Sequence, residues 1–317
     1  MTEADTLLRL RQEVDRACSE LRESMRQMAI ACQLPTPLMS VCTLMDRIEV
    51  GVTRTGKDAS FDLEEASGVV NFNADTLATV IERTDDFADE VGYRNRAERY
   101  RLVQLAVNLF ILHELLHVVQ HFPHFASVRT IKAGMPGYGL PMLDVAADTV
   151  AAWVTAHVEA QRLGQTDEQS ILRSYANTLI LAYVVGAFVF EVVGRAPKMQ
   201  RALGLLTSAA LVEAQADGRL SPGSLNAVWK PLSPLIVLDL QSAGAFNAVV
   251  LDTFPGMLIA NFDESETSLV KLLWNSVGKR PVRRTLELVS QILLRLGVIA
   301  EAPKDVVPQS TRRRAAD

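Results

Sequence analysis

Apolar residues recur at three- and four-residue steps near the start of the chain: Leu7, Leu10, Val14, Cys18, Leu21, Met25 and Met28, with charges between them. That spacing predicts an amphipathic helix over 3–33, stopped where Pro35 and Pro37 can no longer join a helical hydrogen-bond ladder. The period then changes. In "DRIEVGVTRTG" Ile48, Val50 and Val52 alternate with polar residues, and "SGVVNFN" is short and apolar at Val69, Val70 and Phe72. Both read as strands, joined through a turn at "TGKDAS". Asn73 has the side chain to cap a helix running from Ala74 to about Arg83. "TDDFADEVGY" reads as an acidic loop, and "RNRAERYR" opens the next helix with cations. Cations there oppose the positive end of the helix dipole, so the acids are expected to fold back onto them.

From Asn95 to Phe122 the pattern is helical and becomes apolar on every side, through Leu102, Val103, Leu105, Ala106, Val107, Leu109, Phe110, Ile111 and Leu112. Such a helix is a buried one. Pro123 ends it. A glycine- and proline-rich loop, "KAGMPGYGLP", spans 132–141, and a helix follows from about Leu143 to Leu163. The remainder reads as mostly helical over 168–193, 198–216, about 222–229, 266–276 and 281–297. A hydrophobic middle lies near 233–260, where "SPLIVLDL" fits either a strand or a buried helix. The most hydrophobic stretch, 174–190, falls short of the roughly 20 apolar residues of a membrane span and contains Ser174 and Asn177, so it reads as a core helix. The last residues, "VVPQSTRRRAAD", read as a disordered tail. The expected organisation is an N-terminal helix and linker over 1–44, a domain over 45–165, a helical region over 166–305 packed on it, and the tail 306–317. The fold class is α+β and predominantly helical.

Composition narrows the function. Apolar residues make up 49% and charged residues 22%, the balance of a globular protein, and a net charge of −5 excludes a generally basic nucleic-acid surface. Three cysteines, Cys18, Cys32 and Cys42, form neither a disulfide framework nor a Cys-x-x-Cys pair. With charges from the first residues and no apolar signal segment, the expectation is a cytoplasmic protein without a membrane span.

Four of the five histidines fall in "FILHELLHVVQHFPHF", at the end of the apolar helix and just past it. His113-Glu114-Leu115-Leu116-His117 fits H-E-x-x-H. Four residues are about 400° of helix, which leaves the two imidazoles about 40° apart and one turn above each other, within reach of one Zn²⁺. Glu114, about 100° from His113, lies at the edge of that face, placed to take a proton from water at the metal. A catalytic zinc needs a third protein ligand. Without a metal, three buried polar side chains would each need a core partner, at several kcal/mol apiece if left unpaired.

Downstream, in "MLDVAADTVAAW", Asp144 and Asp148 are also four apart on a helix. Here the chain resembles the gluzincin, thermolysin-like, zinc metallopeptidases, which follow H-E-x-x-H with a helix bearing E-x-x-x-D. The resemblance covers about residues 68–160, with aspartate where the family has glutamate. It implies a zincin-like core with Asp144 as third ligand and Asp148 as acceptor for the far nitrogen of His113. The shorter aspartate requires closer helices, which small residues at 146, 147, 151 and 152 permit. It further implies that "GVVNFN" is an edge strand to which an extended substrate adds. His121 continues the spacing but lies about 80° round from His113, His124 falls past the proline, and His157 is roughly 20 Å along its helix from Asp144. Tyr138, in the glycine-rich loop, is the candidate oxyanion donor; Tyr175 and Tyr183 are the others. The expectation is a zinc-dependent peptidase acting on a limited set of intracellular proteins, with a possible regulatory protein partner. Two alternatives stand beside it: a helical binding or scaffold protein that keeps a zincin fold with a structural or vestigial metal, and a zinc hydrolase of another bond.

Overall fold

The first helix, α1 (Glu3–Ala31), buries Leu10, Val14, Ala17, Cys18, Leu21 and Met25 along one stripe, as its spacing predicts. Burial pushes the Cys18 thiol up to about 12, so it packs as a small apolar group. In the computed structural model the described residues are 3–31, 45–54, 59–61, 69–90, 92–121, 140–165, 167–189, 204–205, 208, 287–294 and 296. The chain divides into two compact units, Met1–Val192 and Val193–Asp317. In the second, residues 287–294 are helical, with Leu288, Val289, Ile292 and Leu293 buried and Leu294 exposed.

The first unit holds a three-stranded sheet in the order β1-β3-β2, from β1 (Glu49–Thr53), β2 (Ala59–Phe61) and β3 (Val69–Asn73). β3 runs parallel to β1, with Val50 beside Val70 and Val52 beside Phe72, and antiparallel to β2, with Ser60 beside Asn71. Two sequence expectations change here. β2 starts inside the segment read as a turn. And β3 is the central strand, with both of its edges already hydrogen-bonded, so no substrate strand can add to it.

Asn73 ends β3 and caps α2 (Ala74–Glu90): its Oδ1 accepts from the backbone N–H of Asp75 at 2.9 Å and of Thr76 at 3.0 Å. The helix outlasts its predicted end at Arg83 because Leu77, Val80, Thr84, Phe87 and Ala88 continue a buried stripe through the acidic segment. Gly92, at φ 85°, then turns the chain, and the N–H of Tyr93 closes on the carbonyl of Ala88 at 2.8 Å. The acids do fold back on the following cations, from a helix rather than a loop. Arg99 reaches Asp85 at 2.8 Å and also pairs with Asp89.

Next come α3 (Arg96–His121), α4 (Leu140–Arg162) and α5 (Glu168–Val189). α3 is central, touching α1, α2, α4 and α5. Its residues Leu105 to Leu112 are all buried, and Phe110 meets Phe72 of β3 with ring centroids 5.7 Å apart. α3 is also the one helix among the described residues long and apolar enough to cross a membrane, over Arg96–Val118, and that segment is mostly buried in the protein. The hydrophobic stretch at 174–190 lies largely in α5, where Tyr175, Leu179, Leu181 and Ala182 are buried.

Candidate metal centre

α4 lies against α3, and the small side chains of Ala147 and Ala151, next to Asp144 and Asp148 around the helix, are buried. Without bulk between them, the backbones approach closely enough for short side chains to meet. They meet on one antiparallel register. Arg101 pairs with Glu159, His113 with Asp148 and His117 with Asp144, and at each rung the two residue numbers add to 260 or 261. The Arg101–Glu159 rung, at 2.7 Å, is 12 residues or about 18 Å from His113 and holds the far end of the helix pair. Burial raises the Glu159 carboxyl, but hydrogen bonds from Arg162 and Arg101 overcome it and hold the group below the ordinary carboxylate range. Sequence reasoning missed this rung. Its signal was a charge at each end of otherwise apolar helix faces.

α5 braces α4 from another side. Thr178 donates its hydroxyl to the carbonyl of Ala152 at 2.9 Å, and Tyr175 donates to that of Thr149 at 3.4 Å. Both hydroxyls are thus used in the core, and Tyr175 belongs there rather than at the centre.

At the centre itself, His113 Nε2 lies 2.9 Å from His117 Nε2, and His117 Nε2 lies 3.1 Å from Asp144 Oδ1. The rings stand edge to face, centroids 4.5 Å apart. One ligand atom from each of the three residues falls within 4.8 Å of the others, so the group can hold a metal ion. Zinc bonds of 2.0–2.1 Å at tetrahedral angles set ligand atoms about 3.3 Å apart, and the two short separations fall within a few tenths of an ångström of that. On its other nitrogen, Nδ1, His113 lies 2.9 Å from Asp148 Oδ1. A proton on Nδ1, facing that carboxylate, leaves the lone pair on Nε2 pointing at the cluster.

Burial is graded across the group. His113 and Asp148 have side chains only 5% and 4% exposed, while His117 and Asp144 are 19% and 23% exposed. The inner pair is locked in the core and the outer pair borders solvent. Glu114 is buried on the same turn as His113. His121 closes α3, and His157 lies 13 residues beyond Asp144 with its Nδ1 on the carbonyl of Trp153 at 3.0 Å. Burial lowers the His157 pKa against the opposing pull of that carbonyl. Tyr138 and His124 lie outside the described residues. No family model, curated protein or solved structure matches the chain.

Proposed function

We propose that the chain is a zinc-dependent peptidase with a zincin-like core. The observation that carries this reading is the convergence of His113 Nε2, His117 Nε2 and Asp144 Oδ1 on one point, with Asp148 set behind His113. Two nitrogens and one oxygen in that spacing match a three-ligand zinc site, and imidazole with carboxylate disfavours Ca²⁺ or Mg²⁺, which prefer all-oxygen shells. When bound, Zn²⁺ supplies Lewis acidity, polarising a carbonyl and acidifying water.

The protein's own groups do the rest. His113 and His117 are held one turn apart by α3, and Asp144 is brought to them by the register of α4. Asp148 fixes the His113 ring, so that its Nε2 stays aimed without a change of tautomer. The partial exposure of His117 and Asp144 supports an entry for substrate and water on their side. Glu114 accepts the proton from the attacking water and passes it to the leaving nitrogen as the C–N bond breaks. Tyr138 is the proposed donor to the carbonyl oxygen as it gains charge.

The proposed substrates are a limited set of cellular proteins. The deciding experiment compares wild type with Glu114→Gln on a proteome-derived peptide library. The variant should fold and retain zinc while cleavage falls by at least a hundredfold. A wild type that cuts nothing at full zinc occupancy would instead favour a structural metal in a binding protein. Rapid digestion of unfolded casein at many sites would exclude narrow specificity.

A further inference from the structure

At the opposite end of α3 from the histidines, a cavity of about 730 Å³ opens between α1, α2 and the first two turns of α3. Its lining residues on α3, from Arg96 to Val103, lie about 25 to 15 Å along the helix from His113, so it is separate from the histidine cluster. Leu10, Ala78, Ile81 and Val103 give it an apolar lining, and arginines at 9, 94, 96 and 99 share its border with Glu13, Glu82 and Asp85. A tally of charges looks nearly neutral, but the pairings do not.

Glu13 is already engaged. Its Oε2 accepts from Arg16 at 3.0 Å and its Oε1 from the hydroxyl of Tyr100 at 2.9 Å. Asp85 is engaged too, on Arg99. Arg94 and Arg96 are exposed, and among the described residues no acid lies within ion-pairing distance of either. Glu82, also exposed, is the single lining acid without a described ion-pair partner. The uncommitted charge at the mouth is therefore positive.

These arginines are held in place. The turn at Gly92 and the Asn95 side chain, which accepts from the N–H of Ala97 at 2.9 Å, fix the short segment that carries them. Cations at this end of a helix are unfavourable on their own account. An anion seated between them reverses that sign.

We infer that this cavity binds a small organic acid, with an apolar body against Leu10, Ile81 and Val103 and a carboxylate or phosphate head group held by Arg94 and Arg96. The volume lies in the range of small-molecule sites, and a guanidinium presents two parallel donors that match either head group. An acidic protein segment would satisfy the arginines but would leave the apolar lining unused.

The test is calorimetric titration of the full chain with 4-phenylbutyrate and with 4-phenylbutyl phosphate, using 4-phenylbutanol and inorganic phosphate as controls. At least one of the two acids should bind saturably at a single site and tighter than both controls; whichever binds better identifies the head group. Arg94→Gln/Arg96→Gln should melt no lower than the parent and bind the acid at least tenfold more weakly. Glu82→Gln should bind it more tightly. Acids that bind no better than 4-phenylbutanol, or equally well to the double variant, would overturn the inference. So would an oligoglutamate peptide that binds while neither acid does.

Discussion

His113 is engaged on both of its ring nitrogens, by Asp148 on one side and by His117 on the other, and each contact has its own signature. Asp148→Asn keeps the volume but weakens the acceptor facing Nδ1. Metal affinity should fall by about 10- to 100-fold, measured by competition with a chelator, with stoichiometry restored at high zinc. Asp144→Ala should lose the metal outright, whereas His121→Ala should keep it; the reverse result would move the third ligand to His121. His157 makes a different kind of prediction. Its pKa in the folded protein is lowered from the ordinary 6.5, chiefly by burial. The unfolded chain therefore binds the extra proton first as pH falls, and stability drops from about pH 6.5 down to the folded-state pKa. His157→Gln should flatten that part of the stability–pH curve, followed by urea midpoints. At this scale much was legible from sequence, because helical spacing alone places 113 with 117 and 144 with 148. What spacing could not give was which rung faces which.

The helix pair α3–α4 supplies that answer through its register, which rests on packing. Ala151 is buried on the face that carries Asp148, three residues away. Ala151→Leu adds volume where the structure has none, which should cost about 1–3 kcal/mol in urea unfolding. It should also weaken metal binding, because the carboxylates move away from the histidines. A variant that loses stability but binds zinc as tightly as the parent would show that register does not control the site. The apolar helix and its burial were readable from composition. The length of α2 was not, since Asp85, Asp86 and Asp89 hide the buried stripe through Thr84, Phe87 and Ala88. Nor was the place of β3 in its sheet. Alternation identifies a strand, but its neighbours are set by long-range pairing with β1 and β2.

Across the molecule, the His113–His117–Asp144 group lies wholly within the unit Met1–Val192. Metal bound only by the folded form stabilises that form by mass action, so a chelator should lower the thermal transition of this unit and leave that of the other unchanged. A chelator that shifts both transitions equally would couple the units more tightly than two compact bodies require. The most direct measurement is elemental analysis of the folded protein, purified without added metal. We expect about one zinc per chain, reduced to background in Asp144→Ala. Folded protein containing no transition metal, and taking up none from zinc-supplemented buffer, would contradict the account.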